Sequence, residues 1–215
     1  KTEREITAVV YDSRKVIPGC LFICINGANC DGHDYAAQAA AQGAGVLEVQ
    51  KDIELPADAD VTVIKVADTR YAMEFISAAW FGHPAEKLKV IGITGTKGKT
   101  TTTYLVKSIL ENAGYKVGLV GTIEVIIGDE HIHANNTTPE SYLLQEYFAR
   151  MVDAGLDTVV MEVSSQALML HRTQGFVFDY GIFTNLEPDH IGPNEHASFE
   201  EYLHCKGLLF KLCKV

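Results

Sequence analysis

The run Gly95-Thr96-Lys97-Gly98-Lys99-Thr100-Thr101 carries the residue types that hold phosphate. Gly95 and Gly98 let main-chain amides approach anionic oxygens, Lys99 is spaced to reach a β- or γ-phosphate, and the Thr100 hydroxyl can join a Mg²⁺ ion. The spacing departs from the general G-x-x-x-x-G-K-[ST] pattern, because Ile93 stands where the first glycine is due and Gly92 lies one place early. What remains is the compact form Gly-Thr-Lys-Gly-Lys-Thr. A Gly/Thr-rich turn with a solvated lysine is the bland alternative.

Such a loop works only between a buried strand and a helix whose N-terminal amides favour an anion. Apolar Val90 to Ile93 supplies the strand, and the residues after Gly98 open the helix. A nucleotide site also needs an acid at the end of a neighbouring strand to help hold Mg²⁺. Glu162 lies toward the end of the strand expected at Thr158 to Val163 and is that candidate, set against a solvated strand-end carboxylate. Asp189-His190 follows the strand Tyr180 to Thr184; His190 is either a second metal ligand or an ordinary hydrogen-bonded histidine. The loop, Glu162 and Asp189-His190 converge if these strands lie parallel, since ligands bind beyond the carboxyl ends of parallel strands.

The elements that precede the loop read as a small α/β unit. Strands are expected at Ala8 to Arg14, Cys20 to Ile25, Val46 to Val49 and Val61 to Val66, with an alanine-rich helix at Tyr35 to Gln42. Cys20 and Cys24 share a strand face and suit burial better than metal binding. Asp68 or Thr69 caps the next helix, whose inward stripe is expected to be Ala72, Phe75, Ile76 and Ala79, with Trp80 in the core. His83 to Lys87 marks a boundary. In the second unit the helix after the loop should bury Leu105, Val106, Ile109 and Leu110; Ile123 to Ile132 forms a hairpin about Gly128-Asp129 with His131 and His133 on a surface face; and Tyr142 to Ala154 is helical. The fold class is α/β: a unit over 1–86, then a mainly parallel-sheet P-loop unit over 87–215.

Of the 215 residues, 47% are hydrophobic, enough for a buried core, and the net charge of −10 argues against broad nucleic-acid or anionic-membrane binding. Five cysteines without a C-x-x-C pair fit a reduced, cytoplasmic protein. No apolar run reaches the ~20 residues of a membrane span. The first residue is Lys1, not Met, so a piece of a longer protein is expected.

These residues resemble the Mur ligases of peptidoglycan synthesis, in their tripeptide-synthetase branch. Asp12-Ser13-Arg14, Pro18-Gly19, Leu21-Phe22 and Asp31-Gly32-His33 resemble that family's uridine-nucleotide domain. Gly95 to Thr102, Asn136-Thr137-Thr138-Pro139, Glu162-Val163-Ser164-Ser165, Thr184-Asn185-Leu186, Asp189-His190 and Glu201 to Lys206 resemble its ATPase domain. The resemblance covers nearly the whole chain. It implies ATP- and Mg²⁺-dependent amide formation: the γ-phosphoryl group passes to the carboxylate of UDP-MurNAc-dipeptide, and an amino acid, diaminopimelate or lysine, attacks the acyl phosphate. Lys99, Thr100, Glu162 and His190 would neutralise charge, with Lys206 carbamylated as a further metal ligand.

By the same resemblance Ser13, Ala28, Asn29, Cys30, Asn136, Thr137, Thr138, Ser164 and Arg172 bind the UDP-sugar peptide, Arg172 through its two-pronged guanidinium. The resemblance also implies a third, C-terminal domain beyond Val215, without which the chain would bind but not ligate, and a monomeric protein. Two departures stand out: Leu170 where a polar residue is usual, and Gly192-Pro193-Asn194-Glu195-His196 in place of an aspartate-tyrosine-histidine run. The D-Ala-D-Ala-adding Mur ligase, folylpolyglutamate synthase and a P-loop binding module without ligase activity are the alternatives. Thr137-Thr138-Pro139, Thr184-Asn185-Leu186 and the α/β unit ahead of the loop weigh against them.

Overall fold

A computed structural model describes residues 3–27, 30–189, 191–192 and 195–214. The chain forms two compact units, Lys1–Met73 and Glu74–Val215.

In the first unit, strands β1 (Val9–Val10), β2 (Leu21–Ile23), β3 (Val46–Val49) and β4 (Thr62–Lys65) form one parallel sheet in the order β1-β2-β3-β4. Alternation sends Phe22, Leu47 and Val49 to one face, where Cys20 and Cys24 are also buried against Ala36 and Ala39 of helix α1 (Ala36–Ala41). Both cysteines are thus core residues. The first strand stops earlier than its apolar run suggests, because Asp12 accepts from Arg14 N at 3.0 Å and turns Ser13–Lys15 into a 3-10 turn. The Arg14 guanidinium on Asp12 also holds that carboxyl down to about 2. At Asp31, burial pushes the carboxyl up, but bonds from Lys51 and His33 outweigh it and the net shift is downward. His33 accepts from Gln50 N on Nε2 at 3.0 Å, so its proton sits on Nδ1 and points at Asp31.

Helix α2 (Thr69–Trp80) is capped by Asp68, which accepts from Tyr71 N at 3.0 Å. Its buried side is not the expected one. Thr69, Met73, Ser77 and Ala78 are buried, whereas Phe75 is exposed and Trp80 is 41% exposed. The aromatic residues therefore do not define the inward stripe, which is Met73 with Thr69, Glu74, Ser77 and Ala78.

The second unit holds β5 (Lys89–Thr94), α3 (Lys99–Asn112), β6 (Val117–Val120), β7 (Glu124–Ile127), β8 (Glu130–His133), α4 (Ser141–Asp153), β9 (Thr158–Glu162), α5 (Ser165–Met169), β10 (Tyr180–Phe183) and α6 (Phe199–Lys211). The sheet order is β10-β5-β9-β6-β7-β8, parallel from β10 to β6 and antiparallel through the β7/β8 hairpin. Val90, Met161 and Val120 pack with Leu144, Phe148 and Met151 of α4 on one side; Ile91, Ile93 and Val160 pack with Val106 and Leu110 of α3 on the other. The hairpin turns at Gly128-Asp129, and His131 sits on its outer face with Nδ1 2.7 Å from Glu124 Oε2.

Helix α3 corrects another expectation. Leu105 and Ile109 are 58% and 66% exposed, while Thr103 is buried with Val106 and Leu110 turned inward. Thr103 can be buried because its hydroxyl donates to Lys99 O at 2.6 Å, leaving a methyl for the sheet. In this topology the parallel strands β5, β9 and β10 lie side by side, so the segments leaving their carboxyl ends meet at one edge of the sheet.

Candidate nucleotide and substrate site

The loop after β5 is shaped by its neighbours. Gly95 has φ +143, and a Cβ there would overlap Thr184 Oγ1 and sit 3.1 Å from Asn185 N. Only glycine fits this close approach of two strand ends. Thr184 and Asn185 in turn strap the loop: Thr184 Oγ1 donates to Lys97 O at 2.8 Å, Asn185 Nδ2 donates to the same oxygen at 3.0 Å, and Asn185 O accepts from Thr96 N at 3.0 Å. Gly98 has φ +81 with open space around it, the geometry needed for an anion to approach the main chain. The fourteen-residue α3 then opens with Lys99 and Thr100, their amides at its positive end. The strand, loop and helix expected from the sequence match this local structure.

Lys99 folds back on the loop, donating to Gly95 O at 3.0 Å and Thr96 O at 3.1 Å. Burial pushes its pKa down, partly offset by the charges of Glu162 and Asp189. Lys97 points outward and pairs with Glu187 at 2.5 Å. Thr96 exchanges a hydrogen bond of 2.9 Å with Tyr202 OH of α6.

Glu162 closes β9 and is 1% exposed, not solvated. Its carboxylate accepts from Thr100 Oγ1 at 3.0 Å, from Thr122 N at 2.9 Å and from Thr122 Oγ1 at 3.0 Å. Thr122, which follows β6, is a partner that sequence spacing does not announce. A buried carboxylate with three donors is fixed in place, and with the Thr100 hydroxyl it forms a pair of hard oxygen donors suited to Mg²⁺. Asp189 lies close enough for its charge to act on Lys99 and Lys206. His190 lies outside the described residues. Among those described, no group of three or more His, Cys, Asp or Glu side chains forms a metal cluster.

Lys206 is the least expected member. A helix-surface lysine would be solvated, yet Lys206 is 1% exposed, donates to Gly95 O at 2.8 Å, and lies 4.5 Å from the Tyr202 ring centroid. Burial, reinforced by the charge of Lys99 and opposed by Asp189, lowers its pKa to about 8. Lys99 and Lys206 thus share one carbonyl oxygen. Beside them lies a cavity of about 170 Å³ lined by Asn136, Thr137, Thr138, Ser164 and Arg172, all singled out from sequence, and by Ser165 and Gln166. Arg172 is already held: one Nη donates to Thr138 O at 3.1 Å and the other pairs with Glu140 at 2.8 Å. Thr138 Oγ1 bridges Glu162 O and Ser164 N, so the cavity wall and the strand end form one hydrogen-bonded piece.

In the first unit Ser13 and Cys30 line a second cavity, of about 560 Å³, together with Asp12, Arg14, Phe22 and Tyr35. Ala28 and Asn29 lie outside the described residues. No described helix is long and apolar enough to cross a membrane.

Residues 5–81 match the Mur ligase family catalytic domain, and residues 93–215 match the Mur ligase middle domain. A Clostridium botulinum protein named UDP-N-acetylmuramoyl-L-alanyl-D-glutamate--2,6-diaminopimelate ligase is 50% identical over 212 residues, covering 98% of this chain and 44% of its own length. A Bacillus licheniformis protein of the same name is 48% identical over 206 residues, 96% of this chain and 41% of its own length. A solved structure bearing that enzyme name aligns with a TM-score of 0.81 at 25% identity, covering 97% of this chain and 42% of that one. The chain therefore spans less than half the length of these relatives. Two family domains matched in order, over the units that carry the two cavities, establish that the chain belongs to the Mur ligase family.

Proposed function

We propose that the protein carrying this chain is an ATP-dependent amide ligase of cell-wall precursor synthesis. It joins diaminopimelate to UDP-MurNAc-L-Ala-D-Glu through an acyl phosphate. The names of the relatives supply the substrate pair. The observation that carries the reading is the convergence of Lys99 and Lys206 on Gly95 O, with the Thr100–Glu162 pair anchored on the same loop and a polar cavity alongside. Phosphoryl transfer between two anions needs the positive charge of Lys99, oxygen ligands for a metal ion and hydrogen-bond donors gathered at one loop.

In this reading residues 1–86 hold the uridine nucleotide, with Ser13, Ala28, Asn29 and Cys30 as contacts, and residues 87–215 hold ATP. The amides of Gly95 to Thr101 cradle the phosphates, and Lys99 exchanges its two carbonyl partners for phosphate oxygens. Thr100, Glu162 and His190 would hold Mg²⁺, which when bound neutralises phosphoryl oxygens. Asn136, Thr137, Thr138, Ser164 and Arg172 orient the peptide carboxylate for in-line attack. Arg172, prepaired with Glu140, loses little freedom on doing so.

Lys206 is proposed to be carbamylated. A pKa of about 8 leaves part of its amine neutral near pH 7, and that nitrogen attacks the carbon of CO₂ and releases a proton. The resulting carbamate reverses the charge beside Lys99 and offers oxygen ligands. A cytoplasmic, monomeric protein belongs to the same proposal. The test is incubation of the full-length protein with ATP, UDP-MurNAc-L-Ala-D-Glu and diaminopimelate or lysine, with mass spectrometry of the products. UDP-linked tripeptide with stoichiometric ADP is expected. Nucleotide binding without peptide uptake, or turnover only with D-Ala-D-Ala and a UDP-tripeptide, would refute it.

A further inference from the structure

Ser165 also lines the cavity beside Lys99 and Lys206. It is 4% exposed, and its Oγ lies 2.8 Å from Nε2 of His196, whose side chain is fully buried. The two are 31 positions apart in the chain, so only the fold brings them together. Tyr202 packs on the imidazole at 5.3 Å between ring centroids, and its hydroxyl is the one that meets Thr96 in the phosphate loop. His196 is thereby held between loop and cavity. Its Nδ1 is 3.8 Å from Glu201 Oε2, beyond hydrogen-bond distance, and that oxygen accepts from Ala197 N at 2.6 Å.

The cations on this cavity that persist when Lys206 is carbamylated, Lys99 and Arg172, select an anionic ligand. A serine whose oxygen accepts from an imidazole N–H keeps its own proton to donate. We propose that Ser165 is a further substrate-contacting residue, donating its hydroxyl proton to an anionic oxygen of the UDP-linked peptide. His196, protonated on Nε2, is the positioning residue that aims it. This inference rests on the ligase reading.

The experiment is calorimetric titration of the full-length protein with UDP-MurNAc-L-Ala-D-Glu and, separately, with ADP. Ser165→Ala and His196→Ala should each weaken peptide binding by about 10-fold, the cost of one hydrogen bond to a charged group. The double variant should lose no more than the worse single one, and ADP affinity should not change. His196→Gln, whose amide N–H can still donate to Ser165, should recover most of the loss. Unchanged peptide binding in S165A, additive losses, or a parallel loss of ADP affinity would each overturn the inference. A wild-type protein that binds ADP but not the UDP-peptide would overturn the ligase reading and this inference with it.

Discussion

Gly95→Ala tests whether the loop is held by the strand end beside it. A Cβ at this position would overlap Thr184 Oγ1 and crowd Asn185 N and O, at 3.1 and 3.2 Å. Relieving the overlap has two costs. Thr184 can rotate away, losing its bond to Lys97 O, at about 1 kcal/mol, and freeing the strap on the loop. The alanine is then still held at φ +143, which costs about 1–3 kcal/mol more. The total is about 2–4 kcal/mol, concentrated in the loop. Urea denaturation and ADP titration of G95A, T184A and the double variant measure it. With Oγ1 gone, G95A should cost about 1 kcal/mol less than in the wild type. Equal costs in both backgrounds, or a G95A protein with wild-type ADP affinity, would show that Thr184 does not shape the loop.

Three further outcomes are expected. Glu162→Gln keeps the shape of a buried side chain but removes the charge, so Mg²⁺-dependent turnover should fall by about 100-fold or more with stability little changed; a smaller kinetic effect would exclude Glu162 from the charge balance. Glu48 is buried on β3 with neither oxygen hydrogen-bonded among the described residues, and burial raises its pKa to about 7. The folded state then holds a proton that the unfolded chain releases above the ordinary value of 4.5, so stability should decline from pH 4.5 to about 7, and Glu48→Met should remove that decline in a denaturation series. Lys206 has the opposite sign. With a folded pKa of about 8 against an ordinary 10.5, the unfolded state binds more protons between those values, so in CO₂-free buffer stability should rise across that window, and Lys206→Met should abolish the rise.

How far the sequence reveals this site depends on the range of the forces involved. The β5–loop–α3 unit is legible because its signals are local: an apolar run, glycines at two backbone positions, and a helix start. The parallel sheet is legible from the alternation of strands and helices. Helix faces are not, since counting apolar residues favours Leu105, Ile109 and Phe75, whereas burial favours Thr103 and Ser77, small side chains that fit close packing. The state of the charged groups is equally hidden. Glu162 is buried because Thr122, 40 positions earlier, donates to it, and Lys206 because it reaches Gly95 O across 111 positions. Arg172 looks ready for substrate in the sequence, yet its partner Glu140 belongs to the segment before α4. Family motifs mark these positions without indicating how they are held.

The reaction proposed for this site is transfer of a phosphoryl group onto a carboxylate. Its most direct measurement uses full-length protein, ATP, diaminopimelate and UDP-MurNAc-L-Ala-D-Glu labelled with ¹⁸O in the reacting carboxylate. Mass spectrometry of the inorganic phosphate should find one ¹⁸O per turnover, carried over from the carboxylate when the amine displaces phosphate. Phosphate released without label, while tripeptide accumulates, would contradict the acyl-phosphate mechanism.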